Sequence, residues 1–312
     1  MRIGILTSGG DCPGINATIR GVCKTAISHY GMEVYGIHSG FRGLLDNDIT
    51  PLTEKDLTGL LNMGGTILGT SREKPFKKRS ATSQNKPALM LKTIKEMQLD
   101  CLVCIGGNGT QKTAAKLAQA GVNIVTIPKT IDNDVWGTDM SFGFDSAVTI
   151  ATEAIDRLHS TASAHQRVMV IEVMGHKAGW IALHSGMAGG GDIILIPELE
   201  YDIRNIGNTI IERLKKGKTY SIVVVAEGIK TIDGKKAAEY IAQEMSKDVK
   251  DKGYKVVWVN ATQSDQINRA ILEDKAGNRV FCSLKSDGKN VTFMPERNSQ
   301  SSFKEFTVAI KE

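Results

Sequence analysis

The sequence has little that would direct the chain into or across a membrane. Its first residues form a short apolar run, Ile3–Thr7, which is followed at once by the polar turn SGGD and does not have the pattern of a secretory signal. No apolar run approaches the roughly 20 residues that a membrane-spanning helix needs. We therefore expect a cytoplasmic protein without a membrane partner.

Cysteine and net charge are low as well. The five cysteines are odd in number and scattered, so they do not indicate a disulfide framework. Cys101 and Cys104 form a CxxC, but they flank a strand-like run and lack the second pair of a zinc site, which favours two buried thiols. A formal net charge of +5 over 312 residues does not indicate a nucleic-acid partner, and it suits an anionic substrate equally well.

Length and glycine content favour an α/β protein of two lobes. At 312 residues the chain exceeds the roughly 250 residues that one hydrophobic core covers. Its 32 glycines suit the many tight corners between strands and helices in such a fold. A change of sequence character near Asp134–Ser141 predicts a boundary there. The lobes would be 1–138 and 139–252, with a tail at 253–312 that partly completes the first lobe.

The stretch from Leu102 to Asp134 predicts a pocket. Two apolar, strand-like runs, Leu102–Ile105 and Val122–Ile127, bracket a pattern of apolar residues at helical spacing. The first run ends in the polar turn GGNGT and the second in PKTIDND. The carboxyl ends of parallel strands meet at one edge of a sheet, where ligands bind. Both turns are therefore expected to face one pocket.

Glycine-rich turns after two strands predict phosphate binding. SGGDCPG follows the predicted strand Arg2–Thr7 and precedes a predicted helix at Ile15–Ser28, and GGNGT repeats this arrangement. Such turns offer a row of backbone N–H groups that a phosphate can approach closely. A tight corner, in which Asp11 caps the helix, is the alternative for the first turn taken alone. Neither turn is a Walker A loop or a GxGxxG fingerprint.

Two carboxylates in the TIDND segment indicate chemistry at the same pocket. Asp132 and Asp134 lie two residues apart at a strand end, where one carboxylate can accept a proton from an attacking hydroxyl and the other can hold Mg²⁺. An Asx turn or a helix cap is the structural alternative. Other side chains near strand ends or glycine turns are candidates for binding phosphate or sugar groups: Arg72, Lys129, Arg167, His176 and Glu227.

Seven motifs in order over about residues 1–230 resemble those of the phosphofructokinase family: TSGGDCPGINATIR, LGTSR, GGNGT, PKTIDND, HQRVMVIEVMGHKAG, GGGDIILIPE and VVVAEG. The resemblance implies two α/β lobes of parallel-sheet type with the active site in the cleft between them. It implies transfer of a phosphoryl group from ATP, or in one branch from pyrophosphate, to the 1-hydroxyl of fructose 6-phosphate. It also implies a magnesium ion and a homo-oligomer, usually a dimer or tetramer.

The resemblance further implies roles for individual residues. Asp132 would be the general base, with Thr130, Asp134 and Lys129 beside the reacting phosphate, and Asn108 and Asp134 would hold Mg²⁺. The residues implied for the phosphoryl donor are Gly10, Phe41, Arg72, Gly106, Gly107, Asn108, Gly109 and Thr110. Those implied for the sugar phosphate are Thr130, Asp132, Arg167, Met174, Gly175, His176 and Glu227.

Three positions depart from the usual family pattern. Asn108 stands where most members have aspartate, and an amide ligates Mg²⁺ without contributing charge. His176 stands where most members have an arginine. The region after Lys252 lacks the GHxQRGG-like stretch that clamps the 6-phosphate in the family.

Two positions bear on the donor and point in opposite directions. In the family, glycine at the Gly109 position leaves room for a nucleotide, whereas the pyrophosphate branch usually has aspartate there. Lysine at the Lys129 position is typical of the pyrophosphate branch, although some ATP-dependent members also carry it. Because steric room is the harder constraint, we predict an ATP-dependent 6-phosphofructokinase. A pyrophosphate-dependent enzyme and a catalytically impaired regulatory relative remain the alternatives. An NAD or lipid kinase lacks the pair TSGGDCPG and PKTIDND.

Overall fold

Two sheets of mainly parallel strands carry most of the chain, and a third, antiparallel sheet lies in its carboxyl-terminal part. The structure is a computed structural model that describes residues 1–77, 85–231, 235–249, 255–260, 269–273, 279–286, 290–295 and 306–309. Side chains are described for 1–77, 85–231, 235–247 and 255–259. The predicted α/β fold is confirmed.

The first sheet contains five strands in the order β3-β2-β1-β4-β5, all parallel except the edge strand β3. The elements of this half are β1 (Arg2–Ser8), α1 (Ile15–Tyr30), β2 (Glu33–Ile37), α2 (Phe41–Asp46), β3 (Ile49–Leu52), a short 3₁₀ helix (Leu60–Asn62), α3 (Lys86–Glu96), β4 (Cys101–Gly106), α4 (Asn108–Gln119) and β5 (Ile124–Pro128).

The second sheet contains four parallel strands in the order β7-β8-β6-β9. The elements of this half are α5 (Phe144–Ala164), β6 (Arg167–Val173), α6 (Trp180–Ala188), β7 (Ile193–Leu195), α7 (Ile203–Lys215), β8 (Ser221–Ala226), α8 (Ala237–Val249) and β9 (Lys255–Asn260). The third sheet pairs β10 (Arg269–Glu273), β11 (Arg279–Ser286), β12 (Asn290–Pro295) and β13 (Phe306–Ala309).

Burial on both faces explains why the central strands form near-continuous apolar runs. In β1, Ile3 and Ile5 pack into one core cluster, whereas Leu6 packs into another. Helices cover both faces of such a sheet, so every strand position is selected for hydrophobicity. Cys101 and Cys104 are buried within β4, which confirms the interpretation of the CxxC as core.

Several local predictions need correction. Asp11 does not cap α1: the cap position is Gly14, and no side chain hydrogen bonds there. The sequence SGFRGLL predicts a loop here, but the structure has the helix α2, in which Phe41 and Leu44 are buried. With six residues, this helix is too short to show a clear periodicity. The sequence pattern does not predict β3, because this edge strand buries little of its surface.

The tail differs from the prediction in its strand pairing. The apolar pattern at Lys255–Asn260 predicts a strand, and the structure has one there, β9. It pairs with β6 and therefore extends the second sheet, not the first. The strands β10 to β13 pair with one another. The predicted turn within Lys285–Lys289 falls partly outside the described residues. Across the part of the chain that the structure describes, no helix combines the length and the apolar character needed to span a bilayer.

We expect Gly106→Ala to destabilise the protein by about 1–3 kcal/mol, because a Cβ at this position collides with the Thr110 side chain and lies 2.7 Å from the Ser8 carbonyl oxygen. Gly109→Ala is the matched control, since a Cβ there meets no atom within 4 Å. Urea denaturation measures both variants. Equal free energies of unfolding for the two would contradict this account of the close approach between β1 and β4.

Candidate active site

Hydrogen bonds to Thr70 and Ser71 fix the turn that follows β1. Gly9 has a φ of +97°, a left-handed conformation that favours glycine. Its N–H donates to the Ser71 carbonyl at 3.0 Å, and its carbonyl accepts from the Thr70 hydroxyl at 2.6 Å. This attachment brings Arg72 beside Gly10, with a guanidinium nitrogen 3.9 Å from the position of a Cβ on that glycine.

The turn after β4 leads directly into α4, a helix of 12 residues. Gly107 is its cap residue, so Asn108 and Gly109 occupy the first turn, where backbone N–H groups have no intrahelical partner. Those N–H groups and the helix dipole favour an anion at this end. A Cβ on Gly109 would meet no atom within 4 Å, so the space beside this glycine is open.

Lys129, directly after β5, joins the three strand ends. Its backbone N–H donates to the Gly106 carbonyl at 3.1 Å, and its ammonium group donates to the Gly10 carbonyl. The residue is only 5% exposed. Burial lowers the pKa of Lys129, whereas the neighbouring Cys12 and Asp11 act in the opposite direction. A positive charge is therefore enclosed between two glycine-rich turns.

The remainder of the loop after β5 is fixed by a strand-like segment at Ser141 and Phe142. Thr130 donates its N–H to the Phe142 carbonyl at 3.1 Å and accepts at its own carbonyl from the Ser141 hydroxyl at 2.7 Å. Ser141 also donates its N–H to the Asn133 side chain at 2.8 Å. Asn133 has a φ of +51°, which this residue type tolerates. Hydrogen bonds to Ser141 and Phe142 thus hold the turn that carries Asp132 and Asp134.

These turns surround one cavity of about 430 Å³. It is lined by Gly9, Gly10, Asp11, Cys12, Arg72, Gly107, Asn108, Gly109, Thr110, Lys129, Thr130, Ile131, Asp132 and Met174. Met174 follows β6, so the second half of the chain contributes to the wall. The predicted meeting of the two glycine turns with Asp132 in one pocket is therefore found in the structure.

Two carboxylates and an imidazole converge at one end of this region. The ligand atoms of Asp132, Asp134 and His176 all lie within 4.8 Å of one another. Burial, and next the charge of Asp134, raise the pKa of Asp132 above the usual aspartate value, whereas His176 acts to lower it. A carboxylate whose pKa is raised is a better proton acceptor than an ordinary aspartate.

Glu227 organises the turn that carries His176. One carboxylate oxygen accepts the N–H of Gly175 at 3.1 Å and that of His176 at 2.6 Å. Gly228 packs against the same turn, because a Cβ there would collide with the His176 carbonyl. This carboxylate therefore connects the ends of β6 and β8, a role that sequence reasoning did not assign to it.

Seven predicted site residues do not line the cavity: Phe41, Gly106, Asp134, Arg167, Gly175, His176 and Glu227. Two of them, Phe41 and Arg167, also have no part in the contacts described above. Phe41 is 1% exposed and packs in the core with Leu6 and Ile37, so its side chain does not face a ligand there. Arg167 begins β6, whereas Met174 follows its end, which separates them by about 20 Å along the strand. The sequence predicts a strand at Arg167–Val173 that ends in MGHKAG, and β6 has these bounds, so the position of Arg167 at the start of the strand agrees with that prediction.

Sequence reasoning also missed part of the lining. Asp11, Cys12 and Ile131 line the cavity although none was predicted as a site residue. The signal was present for the first two, which belong to the turn SGGDCPG, but Asp11 was interpreted as a helix cap. Gly106 has a different role from the one expected: it lies beneath the cavity, and its carbonyl accepts from Lys129 and from the Gln111 side chain at 2.9 Å.

Comparison with known protein families shows to which family the chain belongs. The sequence model described as Phosphofructokinase matches residues 2–269. The chain belongs to the phosphofructokinase family. Among its curated relatives is the "ATP-dependent 6-phosphofructokinase 3" of Bacteroides thetaiotaomicron, 79% identical over 246 residues, which are 78% of this chain and 73% of the relative. The "ATP-dependent 6-phosphofructokinase" of Spirochaeta thermophila is 62% identical over 72% of this chain and 63% of the relative.

Solved phosphofructokinase structures resemble the chain in fold. The phosphofructokinase of Saccharomyces cerevisiae matches with a TM-score of 0.73 and 29% identity, over 84% of this chain and 38% of the yeast chain. A pyrophosphate-dependent phosphofructokinase from Nitrosospira multiformis has a TM-score of 0.72 at 22% identity, over 99% of this chain and 82% of its own. The chain thus spans less than two thirds of several relatives.

We expect Asp132→Asn to raise the free energy of unfolding at pH 7 by about 0.5–2 kcal/mol in metal-free buffer. The folded state raises the pKa of Asp132, so it penalises the ionised form, and the amide removes that penalty. The gain should vanish as the pH falls through the pKa of the folded state, because the carboxyl group is then neutral. Thermal unfolding across pH 4 to 8 measures it.

Asp56→Asn is the control of opposite sign. Hydrogen bonds from the Thr53 hydroxyl and N–H, at 2.7 Å and 2.8 Å, lower the pKa of Asp56. Its replacement should therefore lower stability at neutral pH, and the loss should shrink as the pH falls through the pKa of the folded state. A stability gain at Asp56, or a loss at Asp132, would contradict the electrostatic account of the site.

Proposed function

We propose that the protein transfers a phosphoryl group from ATP to the 1-hydroxyl of fructose 6-phosphate, giving fructose 1,6-bisphosphate in glycolysis. The observation that carries the proposal is the meeting of both glycine-rich turns, Lys129 and Asp132 at one cavity. Relatives named ATP-dependent 6-phosphofructokinase at 79% and 62% identity support it. The chain spans 73% and 63% of these two relatives, so their activity is stated for this chain as a proposal.

The donor phosphates would bind at the ends of β1 and β4. Backbone N–H groups at Gly10 and in the first turn of α4 suit phosphate oxygens, and Arg72 adds a guanidinium group at the cavity wall. Charge on the transferred group must be balanced during the reaction, and the buried ammonium of Lys129 lies nearby. The open space beside Gly109 supports a nucleotide as the donor.

The acceptor hydroxyl would lie at Asp132, the general base. Its raised pKa favours proton abstraction, and the Thr130 hydroxyl accepts the Asp132 N–H at 3.2 Å, which fixes the start of this turn. The sugar phosphate would contact Met174 and the turn of Gly175 and His176, whose backbone Glu227 holds. Arg167 begins β6, at the end opposite to this turn.

Asn108 and Asp134 are the residues that would hold Mg²⁺. The Asn108 side-chain amide donates to the Asp134 backbone carbonyl at 3.3 Å, which places the two residues side by side. Amide and carboxylate oxygens suit this ion, although Asn108 brings no charge. When bound, magnesium neutralises charge that develops on the phosphate oxygens.

We further propose that the protein acts in the cytoplasm as a homodimer or homotetramer. Large apolar side chains on α5 and α6 support self-association, because Ile150 is 58% exposed, Trp180 45% and Met187 71%. Sedimentation velocity tests it, and a monomer at micromolar concentration would contradict it.

A pyrophosphate-dependent reaction is the second candidate, and Lys129 favours it because lysine is typical of that branch of the family. In this structure, however, the ammonium donates to the Gly10 carbonyl, which gives it a partner within the protein. Product formation from each donor alone, at high fructose 6-phosphate, distinguishes the candidates. Turnover with pyrophosphate only would replace our proposal, and ligand binding without any turnover would indicate a regulatory relative.

We expect Asp132→Asn to lower kcat by roughly 10²–10⁴-fold, the usual effect of removing a general base. Asp139→Asn is the matched control, because its exposed carboxylate belongs to the same loop and does not line the cavity. Steady-state rates with saturating fructose 6-phosphate measure both. Near-normal turnover in Asp132→Asn would exclude this residue as the base.

We expect Gly109→Asp to raise the KM for ATP at least tenfold and to affect pyrophosphate much less. The new side chain meets no protein atom within 4 Å of its Cβ, so it extends into the space proposed for the nucleotide. An aspartate in the first turn of a helix also suits the dipole, so folding should be retained. Gly109→Ala is the control that adds a small side chain without a charge. An unchanged KM for ATP in Gly109→Asp would argue against nucleotide binding beside this residue.

A further inference from the structure

The carbonyl group of Gly9 is held by a side chain from outside its own turn. The Thr70 hydroxyl donates to this carbonyl at 2.6 Å, while the Gly9 N–H donates to the Ser71 carbonyl at 3.0 Å. Thr70 is exposed and does not line the cavity, so the Gly9 carbonyl points toward a residue outside the cavity wall. The hydrogen bond from Thr70 therefore fixes the plane of the peptide that joins Gly9 to Gly10.

The orientation of this peptide determines where the N–H of Gly10 points. The peptide is trans, and in a trans peptide the carbonyl and the N–H point in opposite directions. The Gly10 N–H therefore points away from Thr70. Within the part of the chain that the structure describes, this N–H donates to no protein acceptor, and Gly10 lines the cavity. It is thus available to a phosphate oxygen.

Without a partner for the carbonyl, a peptide between two glycines rotates with little steric resistance. Gly9 has a φ of +97°, and neither Gly9 nor Gly10 carries a Cβ that would restrict the rotation. A reversed peptide would replace the Gly10 N–H with the Gly9 carbonyl oxygen, which repels a phosphate. The Thr70 hydroxyl opposes this reversal, because the reversed carbonyl would lose its hydrogen bond.

The next peptide of the turn is held in a similar way. The Lys129 ammonium group donates to the Gly10 carbonyl, which fixes the peptide that joins Gly10 to Asp11. Among the described residues, the Asp11 N–H also donates to no protein acceptor. Successive N–H groups of this kind in a tight turn are typical of anion sites. The two side chains that hold the carbonyls come from different segments, the loop before Arg72 and the end of β5.

We propose that Thr70 is a positioning residue for the phosphoryl donor: its hydroxyl holds the Gly9–Gly10 peptide so that the Gly10 N–H faces a donor phosphate. Thr70 acts through this peptide and needs no contact with the donor itself. The inference rests on the proposed function, because it takes the cavity as the binding site of the donor phosphates. It concerns a phosphate contact and therefore applies to ATP and to pyrophosphate alike.

Thr70→Val tests this role, since valine has nearly the same shape without the hydroxyl and the position is exposed. The loop stays attached to the turn, because the Gly9 N–H still donates to the Ser71 carbonyl. We expect the KM for the donor to rise roughly five- to tenfold, with kcat and the KM for fructose 6-phosphate nearly unchanged. Thr70→Ser keeps a hydroxyl and should restore most of the loss.

Thr209→Val is the matched control. Thr209 is an exposed threonine on α7 whose hydroxyl donates to the Asn205 carbonyl at 2.8 Å, and it does not line the cavity. This variant should leave all three kinetic constants unchanged. A merely structural role for Thr70 would lower thermal stability and kcat and leave the KM for the donor as it is. That result would overturn the proposal, as would a failure of Thr70→Ser to restore the KM.

Titration with pyrophosphate, followed by the amide resonances of protein labelled with ¹⁵N-glycine, tests the peptide orientation without turnover. Gly10→Ala identifies the Gly10 resonance, since a Cβ there comes no closer than 3.9 Å to the Arg72 guanidinium. At saturation this resonance should shift downfield in the unaltered protein and in Thr70→Ser, and markedly less in Thr70→Val. An equal shift in Thr70→Val, or no shift in the unaltered protein, would overturn the proposal.

The two experiments also separate this inference from the proposed function. If the unaltered protein shows no turnover with either donor, the proposed function fails, whereas the pyrophosphate titration still decides the role of Thr70. If turnover is normal and the Gly10 resonance shifts equally in Thr70→Val and in the unaltered protein, the proposed function stands and the role of Thr70 is excluded.

Discussion

The structure of the site depends on a buried ammonium group between two glycine-rich turns. Lys129 bonds to the Gly10 carbonyl through its side chain and to the Gly106 carbonyl through its backbone. Adjacent parallel strands end at the same edge of a sheet, but this edge becomes a binding cavity only when the turns beyond the strands are held apart and aligned. Lys129 is buried in order to make these contacts, and burial disfavours its charged form, which lowers its pKa.

A second electrostatic cost lies at Asp132. Burial and a neighbouring carboxylate disfavour its charged form, and hydrogen bonds from Ser141 to Asn133 and Thr130 hold the turn that carries it. Holding the ionised carboxylate of Asp132 in this environment lowers the stability of the folded protein. Active sites commonly have such a cost, because activity and stability make different demands on the same residues.

The sequence predicted the strands and turns of the site well, because their signals are local. Buried strands such as β1 and β4 are apolar along their length, and each is followed by an unusual glycine turn. The positions of Phe41 and Glu227 depend instead on contacts between distant segments. Only the fold shows that Phe41 packs in the core with Leu6, and that Glu227 accepts two N–H groups from another turn. The pairing of the tail strand β9 with β6 is likewise a contact that no local pattern encodes.

The central claim is that Asp132 accepts the proton of the sugar 1-hydroxyl while the donor phosphates occupy the glycine turns. The most direct measurement is a crystal structure of the protein with fructose 6-phosphate and a non-hydrolysable ATP analogue. We expect the analogue phosphates at Gly10 and the first turn of α4, and the 1-hydroxyl oxygen about 2.6–3.2 Å from an Asp132 carboxylate oxygen. Phosphates bound elsewhere, or a hydroxyl beyond the reach of Asp132 even through one water, would contradict the account.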